Sequence, residues 1–165
     1  MKTTDFIKAS LEMSQGWVMG MIENMRDAPL TAPTPNGGNH PLWVLGHLAY
    51  AEGNLIDGFV QGKENSLADW KEMFGQGSQP VADAGKYPPF DEVLAKFQEI
   101  RANTMSVLDS LSDADLDKPS HAPEEMTQFF GTIGRCFAAL SMHFTFHGGQ
   151  VADARRAAGR PALMG

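Results

Sequence analysis

The chain has 165 residues, 42% hydrophobic and 20% charged, a size and balance that suit one domain with a substantial core and exclude wholesale disorder. A formal net charge of −7, with no basic run longer than Arg155-Arg156, argues against a nucleic-acid binder, which needs cationic surface to meet phosphate. The single cysteine, Cys136, excludes an internal disulfide and a cysteine-rich metal site, and its apolar neighbours Ile133 and Phe137 mark it as a buried thiol.

The opening stretch from Met1 to Trp17 carries acids early and no unbroken apolar run, so no secretory signal is expected there. No segment reaches the roughly 18 apolar residues that a membrane helix needs. A cytoplasmic protein with no membrane partner is the expectation.

Helical periodicity opens at about Thr4 and runs to Arg26, with an apolar stripe of Ile7, Leu11, Val18, Met21, Ile22 and Met25. Asp27-Ala28-Pro29 ends it, because proline cannot continue a helix and disfavours helix at the preceding residue. A turn-rich loop follows from Leu30 to Gly38, around Pro33-Thr-Pro-Asn-Gly-Gly38. The second helix is expected from Asn39, as N-cap, to Gln61. Pro41 is tolerated in its first turn, Val44, Leu45, Leu48, Leu55, Ile56 and Phe59 are its buried stripe, and Gly62 stops it.

Residues 63–89 form a long connection rich in Gly, Pro, Ser and charge. Within it Ser66 is expected to cap two helical turns reaching Phe74, and a connection this long is usually functional or packed over something. The third helix runs from Pro89 or Phe90 to Leu111 with Val93, Phe97, Ile100, Val107, Leu108 and Leu111 inward. After a polar loop, a long fourth helix is expected from Glu124 to Ala158, closed by Gly159 and Pro161. Four long amphipathic helices and no strand alternation point to an all-α four-helix bundle, residues 1–165 forming one domain.

Five histidines occur: His40, His47, His121, His143 and His147. His143 and His147 lie four apart on the last helix, so their side chains sit about 5–6 Å apart on one face. That face also carries Ile133, Phe137, Leu140, Phe144 and Val151, and His47 lies in a matching apolar setting beside Val44, Leu48 and Ala51. Spacing leaves two readings open, hydrogen-bonded core imidazoles or metal ligands. Several buried imidazoles need partners, and one ion would satisfy all three together. His40, next to the presumed cap, and His121, in a Pro/Ser loop, are expected to be exposed or locally bonded.

The segment Trp43-Val-Leu-Gly-His47-Leu-Ala-Tyr-Ala-Glu52 and the later His143-Phe-Thr-Phe-His147-Gly-Gly-Gln150, with Arg155-Arg156 and Gly159-Arg-Pro161 beyond, resemble the DinB superfamily. So does Trp70-Lys-Glu-Met-Phe74-Gly-Gln-Gly77 in the connection. The likeness covers essentially the whole chain, and the last-helix motif is its more specific part. It implies an up-down-down-up bundle, a divalent ion such as nickel or zinc on His47, His143 and His147, and frequent homodimers. Relatives include transferases that join low-molecular-weight thiols to electrophiles and a hydrolase-like branch. The family's name does not imply DNA binding.

Three neutral ligands leave the ion's charge uncompensated and a coordination position open, as in catalytic rather than closed structural sites. A metal-dependent thiol transferase or hydrolase acting on a small molecule is therefore expected, with a non-catalytic metal- or ligand-binding protein, stress-related in role, as the alternative. Trp70 and Phe74 are expected to wall the second substrate's site. Gln150 is a candidate for steering His147, and Glu52 is read as a structural or solvated carboxylate with no catalytic role.

Overall fold

The computed structural model describes residues 1–32, 34, 37–161 and 163. Pro33, Pro35 and Asn36 of the expected turn and Ala162, Met164 and Gly165 of the expected domain lie outside the described residues. The described chain is all-helical, with no strand beyond one isolated bridge between Pro119 and Thr132. The helices are α1 (Thr3–Glu23), α2 (Pro41–Gly53), α3 (Lys71–Phe74), α4 (Phe90–Asp109), α5 (Thr127–Phe130) and α6 (Ile133–Ala157). Among the described residues none of them is long and apolar enough to cross a membrane.

The long helices follow the predicted stripes. α1 buries Ile7, Leu11, Val18 and Ile22, and packs mainly along α6. α2 buries nearly every residue, consistent with its place against both α4 and α6. α4 buries Val93, Phe97, Ile100 and Leu108. At the α1–α6 crossing, Gly148 lets Val18 come close to the α6 backbone. Gly62 and Gly159, the two expected stops, both adopt positive φ (66° and 70°), where a side chain would be strained.

Several boundaries differ from the sequence reading, and the third long helix, α4, ends at Asp109 rather than Leu111. α1 stops at Glu23, and Asn24 to Asp27 turn in shorter hydrogen-bonded steps before Pro29 is reached. The cap of α2 is His40, whose Nδ1 accepts the Trp43 N–H at 3.0 Å; Asn39 instead sends its amide across to Gln150.

Beyond Gly53 the second helix widens into a π-helical segment, Asn54–Val60. Its Asp57 side chain is buried and receives the Ser66 N–H and hydroxyl and the Asn103 amide. Ser66 is thereby tied back to α2, so it does not cap the next turns, which are a 3-10 turn (Ala68–Trp70) running into α3.

The expected fourth helix is broken. Glu124–Met126 is a 3-10 turn, α5 is one helical turn, and Thr132 in extended conformation starts α6 by accepting the Arg135 N–H on its side chain. Backbone bonds from Ser120 to Gly131 and from Ile133 to Lys118 hold that break in place. A Cβ at Gly131 would meet the Thr127 carbonyl.

Candidate metal centre

α2 and α6 bring His47, His143 and His147 to one point between them. The Nε2 atoms of His47 and His143 are 3.2 Å apart, those of His143 and His147 3.0 Å. One ligand atom from each ring lies within 4.8 Å of the others, the one such cluster of three among the described residues. His47 and His147 are buried and His143 is half-buried. His40 and His121 are not in the cluster. His40 is buried and, in the second of its two expected settings, locally bonded: its Nδ1 caps α2, and its Nε2–H donates to the Val81 carbonyl at 3.0 Å. His121 is exposed, as expected.

Each buried ring is fixed from behind. His47 Nδ1 lies 2.7 Å from the Phe74 carbonyl oxygen, so it carries the proton and donates, leaving an Nε2 lone pair. His147 Nδ1 donates to Gln150 Oε1 at 2.8 Å, and the same oxygen accepts from Asn39 at 3.0 Å. Trp43 stacks flat on His47, centroids 4.5 Å apart and planes 10° from parallel. Its indole N–H is shared between the Met73 carbonyl and the Ser78 hydroxyl. Two rings are thus held in the tautomer that aims an unprotonated nitrogen at the third.

That donor set has no internal solution. His143 can direct one Nε2–H at one neighbour, and the Nε2 lone pair of the other neighbour is then left without a hydrogen of its own. Protonation is not the remedy. Burial first, and then repulsion from His147 and His47, pushes His143 down to about 3. Burial pushes His147 down to about 4 against the raising effect of Gln150. Burial likewise lowers His47, against the raising effect of the Phe74 carbonyl. All three are neutral at pH 7, the state in which imidazole ligates. Two nitrogens bound at about 2.0–2.1 Å to a tetrahedral ion lie about 3.3–3.4 Å apart, close to the separations here. The residues fit a divalent ion.

Gly46 makes this packing available. A Cβ there would collide with the Phe74 ring, which is fully buried against α2 one residue before His47. Trp70 and Phe74 are therefore core residues and not walls of a substrate site; the connection serves the centre through the carbonyls of Met73 and Phe74. Glu52 faces away from the cluster: fully buried, it pairs with Arg101 at 2.7 Å, and Arg101 stacks on Phe144. The sequence offered Gln150 through its one-turn spacing from His147. It offered no signal for the Phe74 carbonyl, because backbone acceptors leave no trace in residue identity.

An all-helical protein whose second and last long helices converge three neutral, pre-oriented histidines has a site able to hold a divalent metal ion between helices. The sequence matches the DinB superfamily over residues 11–151, and the chain belongs to that superfamily. No curated protein sequence matches the chain.

Proposed function

We propose that this chain is a metal-dependent transferase acting with a low-molecular-weight thiol, or a hydrolase, using one divalent ion, nickel or zinc, on His47, His143 and His147. The convergence of three Nε2 atoms carries the reading, two of them stripped of their proton by Phe74 and Gln150. We also read the four long helices as one up-down-down-up bundle domain. The exposed Phe6, Met13 and Trp17 on one face of α1 are read as part of a homodimer contact, to be tested by light scattering.

A bound divalent ion supplies Lewis-acid activation, raising the population of a thiolate or hydroxide nucleophile at neutral pH. The protein's own part is positioning. Phe74, Gln150 and Trp43 keep the rings in one tautomer and orientation. No carboxylate lines the space beside the histidines among the described residues, and Glu52 is committed to Arg101, so side-chain base catalysis has no carboxylate to use. Tyr50 stays protonated, because burial and then the charge of Glu72 push its hydroxyl up, and it is available as a donor.

The test is a panel of thiols and electrophiles assayed with metal-loaded protein, EDTA-treated protein and His143→Ala. Conjugation or hydrolysis in the loaded protein alone is expected. Equal rates in all three would end the enzymatic reading and favour a metal- or ligand-binding role.

A further inference from the structure

Beside the three histidines lies a chamber of about 380 Å³, within the size range of small-molecule sites. The π-helical end of α2 contributes Leu55 and Phe59, the 3-10 turn and α5 contribute Met126 and Phe130, and α6 contributes Ala139 and Phe146. Phe146 lies edge-on to His147 and is 67% exposed, so the apolar lining runs from the ring edge out to the mouth. The polar groups besides the histidines are uncharged: Tyr50, Asn54 and Gln76.

The distribution of charge is what discriminates. Among the described residues no Lys, Arg, Asp or Glu lines the chamber. Glu72 adds a negative charge near the Tyr50 hydroxyl on its wall. A carboxylate or phosphate carried into this half-open space would lose part of its hydration without gaining a cationic side chain, and only an ion held by the histidines would offset that loss. An ion held by the three neutral histidines would favour a single anionic or lone-pair donor from the admitted molecule.

We propose that the molecule admitted beside the histidines has an uncharged aromatic or branched aliphatic body and one metal-directed donor atom, such as a thiol. Thiols bearing further carboxylates or phosphates are rejected. The donor-atom half rests on the metal reading above; the chamber half does not.

The experiment uses the full chain loaded with cobalt(II), whose absorption reports thiolate ligation directly. Phenylmethanethiol is titrated against 4-(mercaptomethyl)benzoate, the same body with one carboxylate added. Phenylmethanethiol should half-saturate at a concentration at least about tenfold lower. Asn54→Lys should narrow that gap by tightening the carboxylate thiol, and Ala139→Trp should abolish binding of either while cobalt uptake persists. Equal half-saturation of the two thiols in the wild type, or preference for the carboxylate, would overturn the proposal. In parallel, the neutral dye Nile red is added to metal-free protein. Brightening that Ala139→Trp removes supports the chamber, and brightening unchanged by that substitution, or none, overturns it. A chain that takes up no cobalt but still lights the dye would refute the metal reading and the donor-atom half together, leaving the chamber half standing.

Discussion

The Nδ1 of His47 donates to the carbonyl oxygen of Phe74 across 2.7 Å, joining a ring on α2 to the backbone of a residue 27 positions later. The bond exists because Gly46 leaves room for the Phe74 side chain directly beside it. Gly46→Ala should therefore push the aromatic ring out of place and move the carbonyl with it. Overpacking of this kind costs about 1–3 kcal/mol. Loss of the histidine's rear partner should weaken metal affinity about 10–100-fold. Thermal unfolding and ion titration of the variant read both effects, and unchanged affinity would detach Phe74 from the centre.

Gln150 holds His147 as Phe74 holds His47, and it does so with a side chain, so it can be tested cleanly. Gln150→Leu should lower metal affinity by about 10–100-fold while leaving helix content unchanged. Circular dichroism with ion titration checks this. Asn39, the second donor to the same oxygen, should show a smaller effect as Asn39→Ala.

Glu52 and Arg101 form a buried pair through Oε2 and Nη2, and among the described residues Glu52 Oε1 and Arg101 Nε have no hydrogen-bond partner. Burial pushes the Glu52 carboxyl up, and the opposing pull of Arg101 does not offset it fully. Arg101→Met should cost about 3–5 kcal/mol near neutral pH, because Glu52 loses its partner and must take up a proton to stay buried. The sign of its pH dependence follows. With Arg101 gone, the folded chain holds a proton on Glu52 that the unfolded chain releases near its ordinary value of 4.5. Stability is then lost as pH rises through the window above that value. Denaturant unfolding from pH 4.5 to 8 should show the variant's deficit growing with pH, and adding Glu52→Gln should remove that growth.

Much of the fold was legible because burial here follows helical period: Ile7, Leu11, Val18 and Ile22 were placed correctly from spacing alone. The three histidines were legible for the same reason, two being one turn apart and the third in a matching apolar setting. What spacing could not show was structure set by non-local partners. The widening of α2 goes with Asp57 reaching Ser66 and Asn103, and His40 displaced Asn39 as cap because Gln150 takes the Asn39 amide. The break before α6 did carry a local signal, Gly131 followed by a capping Thr132, which the apolar periodicity on either side obscured.

Cys136 is fully buried, and burial pushes its thiol up to about 11. At pH 8 the thiolate fraction would be about 0.1%, so alkylation should be slow in the folded chain and fast in denaturant. The folded-state value lies above the ordinary 9.0, so above pH 9 the unfolded chain ionises first and stability falls as pH rises. Iodoacetamide labelling followed by mass measurement checks the first point, and rapid native labelling at pH 8 would contradict the buried placement.

The measurement that bears most directly on the metal centre is elemental analysis of the full chain, purified without a histidine tag or added metal, beside His47→Ala, His143→Ala, His147→Ala and His121→Ala. The wild type and His121→Ala should carry about one divalent ion per chain, and the other three should lose it while remaining helical. A wild type without metal that also fails to take up nickel or zinc, or undiminished metal in all three cluster variants, would contradict the account.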